Sequence, residues 1–213
     1  MTINNKTIII SCAGIGTRLK MNTPKALIDI CGKPLLIRSL EMLNDVTDIR
    51  IVVGYKADEV VKIAKNYRKD LTFVYNYNYA NTGTGASVLL AAKDARQFIL
   101  TIDGDIIIHP DDIKDILETN HEFVGVCDPS TERPVLVQVD SKSNVTRFSR
   151  DNGTFEWTGV TLLKSADLYQ TSGHTYQIVE PRLPLPFKLI RQREIDTPND
   201  YRNAINWVKN NYQ

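Results

Sequence analysis

The chain has 213 residues, 42% hydrophobic and 24% charged, which is ordinary composition for one globular domain with a core of normal size. Its 26 basic residues nearly cancel 25 acidic ones, leaving +1, so neither nucleic acid nor an anionic membrane is a partner favoured by net charge. The three cysteines, Cys12, Cys31 and Cys127, are scattered without metal-type spacing and read as reduced thiols. Residues 1–6 lack an apolar signal segment, and the run at 7–13 is too short to cross a bilayer, so a cytoplasmic protein is expected.

In chain order, residues 7–13 form an apolar, β-branched run that ends at Gly14 and suits a strand buried on both faces. Pro34 opens a helix carrying Leu36, Leu40 and Leu43 at helical spacing. Strands are expected at 49–53, 71–75 and 98–102, and helices through Val60, Ile63, Ala64 and Tyr67, over 85–96 and over 111–118. This alternation predicts a mostly parallel sheet with helices on both faces.

The second half changes character, with strands expected at 122–128, 134–140 and 155–163. Residues 181–186 contain three prolines and read as an extended loop, and 187–195 as one further strand. Thr197-Pro198-Asn199-Asp200 is a strong helix start, with Thr as N-cap and Pro in the first position. The predicted class is α/β, a three-layer α/β/α Rossmann-like fold on a mixed, mostly parallel sheet. A single domain over 1–213 is expected, with a nucleotide-binding half at 1–120 and an acceptor-binding half at 121–213.

The segment after the first strand carries chemistry. In Ala13-Gly14-Ile15-Gly16-Thr17-Arg18, glycines let the chain turn tightly and bring backbone N–H groups close to an anion. Arg18 offers a planar fork for phosphate oxygens, and Lys25, held by Pro24, adds a compact point charge. Together they describe a polyphosphate clamp. A dinucleotide-binding loop needs a third glycine where Leu19 stands, and a P-loop needs Gly-Lys-Ser/Thr where the chain has Gly32-Lys33-Pro34.

Asp103 and Asp105 lie in Ile-Asp-Gly-Asp-Ile at the carboxyl end of an expected central strand, where open α/β sheets place ligands. Strand alternation points both carboxylates to one face, and hard carboxylates facing a triphosphate suggest Mg²⁺. In residues 75–87, the amides of Asn76 and Asn78 offer donor and acceptor to a pyrimidine edge, with Gly83 allowing close packing at the ribose.

These stretches, in this order, resemble the sugar-phosphate and phospho-alcohol nucleotidylyltransferases. The five-residue gap between Gly-Thr-Arg and Pro-Lys is similar to that of the N-acetylglucosamine-1-phosphate uridylyltransferase domain. The Asn-x-x-Tyr-x-x-Thr pattern with Ser87 is similar to the phosphocholine and inositol-phosphate cytidylyltransferases.

The resemblance implies a Mg²⁺-dependent transfer of a nucleotidyl group from a triphosphate, CTP ahead of UTP, to a phosphorylated sugar or small phospho-alcohol. Pyrophosphate leaves, and the activated product feeds cell-surface polysaccharide synthesis. It assigns Asp105 and Asp196 to the metal, with Asp103 beside the nucleotide and Glu194 a lesser metal candidate. Ala13, Gly14, Gly16, Thr17, Asn76, Asn78, Thr82, Gly83 and Ser87 would hold the nucleotide, and Arg18 and Lys25 the charge that moves. Glu156 would bind acceptor hydroxyls, Gly159 would give room, and Lys188, with Arg191 or Arg193, would take the acceptor phosphate. For a cationic acceptor such as choline, Tyr75, Tyr77, Tyr79 and Trp157 are the candidates for an aromatic cage. The alternative is a glycosyltransferase of related fold that uses Asp-x-Asp to hold a nucleotide-sugar through a metal. A catalytically silent nucleotide-binding module is disfavoured by the joint presence of Arg18, Lys25, Asp105 and Asp196.

Overall fold

The structure is a computed structural model that describes residues 2–19, 21–166 and 168–212. Strand β1 (Lys6–Cys12) shows why an unbroken apolar run was needed. Ile8 and Ile10 pack on one side of the sheet with Leu36, Leu40, Val60 and Ile116. Ile9 packs on the other side with Val88, Ala91, Ile178 and Val179. A strand buried on both faces cannot alternate apolar with polar.

The first half continues through α1 (Leu35–Met42), β2 (Ile49–Val53), α2 (Ala57–Tyr67), β3 (Thr72–Tyr75), α3 (Thr84–Ala91) and β4 (Phe98–Asp103). A short β5 (Ile106–Ile108) and α4 (Pro110–Glu118) follow. The second half holds β6 (Phe123–Cys127), β7 (Leu136–Val139), β8 (Asn144–Ser149), β9 (Phe155–Lys164), α5 (Tyr176–Val179), β10 (Leu185–Leu189), β11 (Gln192–Glu194) and α6 (Pro198–Asn211).

The main sheet runs β3-β2-β1-β4-β9-β6-β10-β8-β7. Its first four strands are parallel, and β9 enters antiparallel between β4 and β6. Helices α1, α2 and α4 cover one face and α3 and α5 the other, which is the three-layer arrangement. A small second sheet pairs β11 antiparallel with β5. Helix α6 packs on it, burying Ala204 and Val208 against Ile107, Ile195 and Leu35.

Three local expectations are corrected. The helix expected over 85–96 stops at Ala91, before Asp94 in a left-handed conformation at φ 52°. Residues 181–186 are not a loop throughout: a 3-10 turn (Glu180–Arg182) is followed, after Leu183 and Pro184, by β10. Pro186 is tolerated there because β10 pairs with β8 only at Leu185 and Pro186, while its ladder to β6 begins at Phe187. The single strand expected over 187–195 is broken at Ile190 and Arg191, where Asp112 takes both the backbone N–H and the guanidinium of Arg191. The break sends the two pieces into different sheets. Strand β5 and helix α5 are too short for their periodicity to announce them, and β8 buries only Val145 and Phe148, three residues apart, so it lacks the strand alternation.

The amino ends of the strands are tied by Asp48. It accepts from the Thr7 hydroxyl at 2.5 Å and from Arg50 Nε at 3.1 Å, with Arg96 at 3.7 Å. Burial opposes its charge, but the Arg50 and Thr7 hydrogen bonds prevail and hold its pKa below the usual carboxylate value. Such a group stabilises the fold above its unfolded pKa, about 3.9, and loses that contribution as pH falls through its folded value. Urea unfolding of wild type and Asp48→Asn should therefore show a stability gap near neutrality that narrows below about pH 4. A gap independent of pH would refute the role of the Asp48 charge.

Candidate active site

The site lies at the carboxyl ends of β1 and β4. After Cys12 the chain turns through Gly14 and Gly16, the latter in the left-handed region at φ 65°. A Cβ on Gly16 would lie 2.7 Å from Cγ of Lys25, so glycine there lets the Lys25 stem pass against the backbone. Lys25 opens a 3-10 turn directly after Pro24, whose extended backbone aims the chain back toward β4.

Its ammonium reaches Asp105 Oδ2 at 2.7 Å and Asp196 Oδ1 at 2.5 Å. Arg18 forms an ion pair with the other oxygen of Asp196. Burial works against the charge on Lys25, yet Asp105 and Asp196 outweigh it and hold its pKa well above the lysine norm.

Asp105 is not on the strand. Strand β4 ends at Asp103, and Gly104 and Asp105 form the turn into β5. Strand alternation, which the sequence had suggested for the pair, therefore does not govern it. Gly104 donates to the Ser11 carbonyl at 3.0 Å. A Cβ there would sit 2.6 Å from that same oxygen, so the turn requires glycine.

The second sheet completes the cluster. Glu194 on β11 pairs with Ile106, the residue after Asp105, and the Ile195 N–H binds the Asp105 carbonyl at 2.9 Å. Asp196 follows, before the capping box in which Thr197 and Asp200 start α6. Asp105, Glu194 and Asp196 thereby bring one carboxylate oxygen each to within 4.8 Å of one another. Three hard oxygen donors of this kind fit a divalent cation such as Mg²⁺.

Burial, then the charge of Asp105, raises both Asp103 and Glu194 above the ordinary carboxylate range. Excess negative charge is thus concentrated where a cation would relieve it. Cys12 lies behind the turn, and burial, then Asp105, pushes its thiol upward, so it is a protonated core residue and no nucleophile.

These groups border a cavity of about 810 Å³. Of the residues expected at the site, Gly14, Gly16, Arg18, Lys25, Asp103, Asp105, Gly159 and Asp196 line it, and Glu194 joins them. Ser11 Oγ and Asp103 Oδ1, neighbours in the β1–β4 register, are buried without a hydrogen-bond partner among the described residues. Ser11 was not expected there. Polar atoms left unpaired beside a cavity suit a polar ligand.

Gly159 has φ 77°, and a Cβ on it would lie 2.6 Å from Asp103 Oδ2. Gly159→Ala should displace Asp103 and lower kcat/KM by roughly 10²-fold, since small misplacements at a reacting centre are that costly. Steady-state kinetics beside a melting curve checks this, and unchanged kinetics in a folded variant would dismiss the contact.

Other expected residues have structural work instead. Asn76 is buried, and its amide donates to Thr82 Oγ1 and Ser87 Oγ, both at 3.0 Å, while Oδ1 accepts the Asn78 N–H at 3.0 Å. Its edge is therefore taken up by the loop and is not offered to a base. Asn78 accepts from Asn81 at 2.8 Å. Gly83 sits under the 172–174 segment, where a Cβ would meet the Gly173 carbonyl at 2.3 Å. From this loop it is Thr84 that reaches the cavity. Ala13 is buried, and its carbonyl accepts the Tyr55 N–H. Thr17 begins a 3-10 turn, and the expectation for its side chain lies outside the described residues.

Two acceptor assignments are corrected. Glu156 is 1% exposed, and its carboxylate accepts from the N–H groups of Ser130 and Thr131 and from the Thr131 hydroxyl. It anchors the loop after β6 and does not line the cavity. Lys188 pairs with Asp115 at 2.6 Å and lies over the Phe123 ring, away from the cavity lining. Arg191 is held by Asp112, and Arg193 lies over Trp207. The second half instead contributes Arg133, Arg150, Thr158, His174 and Tyr176 to the lining. No spacing in the sequence links them, because separate loops and strands carry them.

A family model for the MobA-like NTP transferase domain matches residues 8–166. The chain belongs to this nucleotidyltransferase family. The match covers the glycine turn, Lys25 and the Asp103–Asp105 segment, and family membership decides against the glycosyltransferase alternative. The bifunctional protein GlmU of Wolinella succinogenes is 32% identical over 124 residues, 56% of this chain. The chain spans 28% of the length of that relative.

Among solved structures of the same fold is the inositol-1-phosphate CTP transferase from T. maritima, with TM-score 0.78, 18% identity and 97% of each chain covered. Another is the CTP:phosphocholine cytidylyltransferase from Streptococcus pneumoniae, with TM-score 0.74, 22% identity, and 96% of this chain and 99% of that one covered. No helix among the described residues of this family member is long and apolar enough to cross a membrane.

Proposed function

We propose that the chain joins a pyrimidine nucleoside triphosphate, CTP ahead of UTP, to the phosphate of a sugar or small phospho-alcohol and releases pyrophosphate. The observation that carries this reading is the convergence of Lys25 and Arg18 on Asp105, Glu194 and Asp196 in one cavity at the strand ends. Support for CTP comes from the two solved neighbours, which are a CTP transferase and a CTP-dependent cytidylyltransferase. Such a product is a building block for cell-surface polysaccharide.

An oxygen of the acceptor phosphate forms a bond to the α-phosphorus while the bond from that phosphorus to the α–β bridging oxygen breaks. Pyrophosphate carries the electron pair away. No covalent protein intermediate is required, so the residues act by alignment and charge. Arg18 faces the departing β- and γ-phosphates. Lys25, released from its carboxylates, lies between the α-phosphate and the incoming phosphate, offsetting the repulsion of two anions. Asp105, Glu194 and Asp196 would hold Mg²⁺, which supplies charge neutralisation and polarisation of phosphoryl oxygens.

The test is pyrophosphate release with Mg²⁺ across the four ribonucleoside triphosphates and thymidine triphosphate. Each is paired with sugar 1-phosphates, inositol phosphate, glycerol phosphate and phosphocholine. Release that needs one triphosphate, one acceptor and the metal supports the reading. A folded protein that releases none in any pairing sinks it for these substrates.

A further inference from the structure

The carboxylate cluster and the wall contributed by the second half of the chain carry opposite charge. The loop after β6 and the turn after β8 bring Arg133 and Arg150 to the cavity. They are neighbours: Arg150 Nη1 donates to the Arg133 carbonyl at 3.0 Å. Neither guanidinium has an ion-pair partner among the described residues. Glu132 shares this wall and pairs with neither.

The arginine loop is held from behind. Glu156, 1% exposed, takes the Ser130 N–H at 2.6 Å and the Thr131 hydroxyl at 2.6 Å. Beside the arginines, the His174 ring stacks on Tyr176 at 5.8 Å and 14°. Arg150, His174 and Tyr176 line the same cavity, and burial, then the Arg150 charge, lowers the His174 pKa. With Lys188, Arg191 and Arg193 engaged elsewhere, Arg133 and Arg150 are the cations that the second half brings to the cavity among the described residues.

We propose that Arg133 and Arg150 form an anion clamp for the acceptor, and that the site takes a phosphorylated polyol, such as a sugar or cyclitol phosphate, over one with a cationic body. Guanidinium forks match phosphate oxygens in bidentate fashion. The flat His174–Tyr176 pair suits the C–H face of a saturated ring, and Thr158 lines the same cavity as a hydroxyl partner. A quaternary ammonium would instead meet two unneutralised arginines, a repulsive element that selects against it.

The four aromatic residues expected to form a cage for such a cation do not converge. Trp157 lines the main cavity with its indole N–H on Thr161, while Tyr75, Tyr77 and Tyr79 border a separate pocket with Asp58 and Glu59.

The substrate class in this proposal rests on the transfer reading, whereas the clamp is testable by binding alone. Calorimetric titration of the whole chain with glucose 1-phosphate, inositol 1-phosphate and phosphocholine should show both polyol phosphates binding about tenfold or more tighter than phosphocholine. The Arg133→Gln/Arg150→Gln variant, its fold checked by circular dichroism, should weaken the polyol phosphates by about tenfold or more while triphosphate affinity stays within about twofold. Arg133→Lys/Arg150→Lys should recover part of the loss, since charge is kept and the fork is not. Phosphocholine binding as tightly as the polyol phosphates, or an unchanged affinity in the double glutamine variant, would overturn the clamp. Clamp-dependent binding without pyrophosphate release would leave the clamp standing and remove the transfer reading. Release with no loss in the variant would do the reverse.

Discussion

Asp105→Asn should reduce kcat for pyrophosphate release by about 10³-fold or more, with the protein still folded. Asp105 is where two structural devices meet: the Gly104 turn that presses on the Ser11 carbonyl, and the β5–β11 ribbon that delivers Glu194. Asparagine preserves the shape of the side chain and the turn, but removes one of the charges in the three-carboxylate cluster. The loss should therefore appear in kcat and in the Mg²⁺ concentration needed for half-maximal rate, with little change in melting temperature. Single-turnover rates across a Mg²⁺ series would check it. A variant with wild-type turnover and metal dependence would remove Asp105 from the chemistry.

Lys25→Met should act on stability and rate together. In the absence of ligand the ammonium bridges Asp105 and Asp196 with a side chain 15% exposed. Removing it leaves two largely enclosed carboxylates without that counter-ion, a change that costs about 3 kcal/mol when one partner of a buried pair is lost. Saturating Mg²⁺ should restore more stability to the variant than it adds to wild type, because the metal meets carboxylates that no internal cation occupies. The rate should nonetheless fall by about 10²-fold or more, since no positive charge then lies between the two reacting phosphates. Urea unfolding with and without Mg²⁺, beside pyrophosphate release, separates the two effects. Equal stability of the two proteins without metal would show that the bridge does not hold in solution, and an unchanged rate would deny Lys25 its catalytic role.

Much of the parallel half was legible because its signals are local. Ile49–Val53 forms β2 with the expected bounds, since a β-branched run closed by Gly54 has one comfortable conformation. Thr197-Pro198-Asn199-Asp200 forms its capping box because every partner lies within three residues. Gly14, Gly16, Arg18 and Lys25 were readable for the same reason: strand, turn and cations are contiguous, and all four reach the cavity.

The parts that were not legible depend on pairing across long separations. Glu194, only a lesser candidate from the sequence, enters the carboxylate cluster through the β5–β11 ribbon, whose three-residue strands are below the length at which periodicity signals anything. Lys188 and Arg191 precede Asp196 closely in sequence, yet Lys188 within β10 pairs with Asp115, and Arg191 at the break after β10 pairs with Asp112. Asn76 and Glu156 carry the chemistry of ligand-binding residues, but folding turns their polar atoms onto neighbouring loops. Arg133 and Arg150 come together only when β7 and β8 form their hairpin, where Leu136 faces Ser149.

By itself, the sequence determined the α/β class, the glycine turn with its cations at the end of the first strand, and the acidic residues around which the site is built. Those features follow from short-range sterics, burial on both faces of a strand and capping, all of which act over a few residues. Only the tertiary structure decided which carboxylate joins Asp105 and Asp196, and which polar groups point into the cavity or are held by a loop. It also decided which arginines face the acceptor side. A polar side chain seeks whatever partner folding brings within hydrogen-bond distance, and that partner is set by strand order and register, not by its neighbours in the chain.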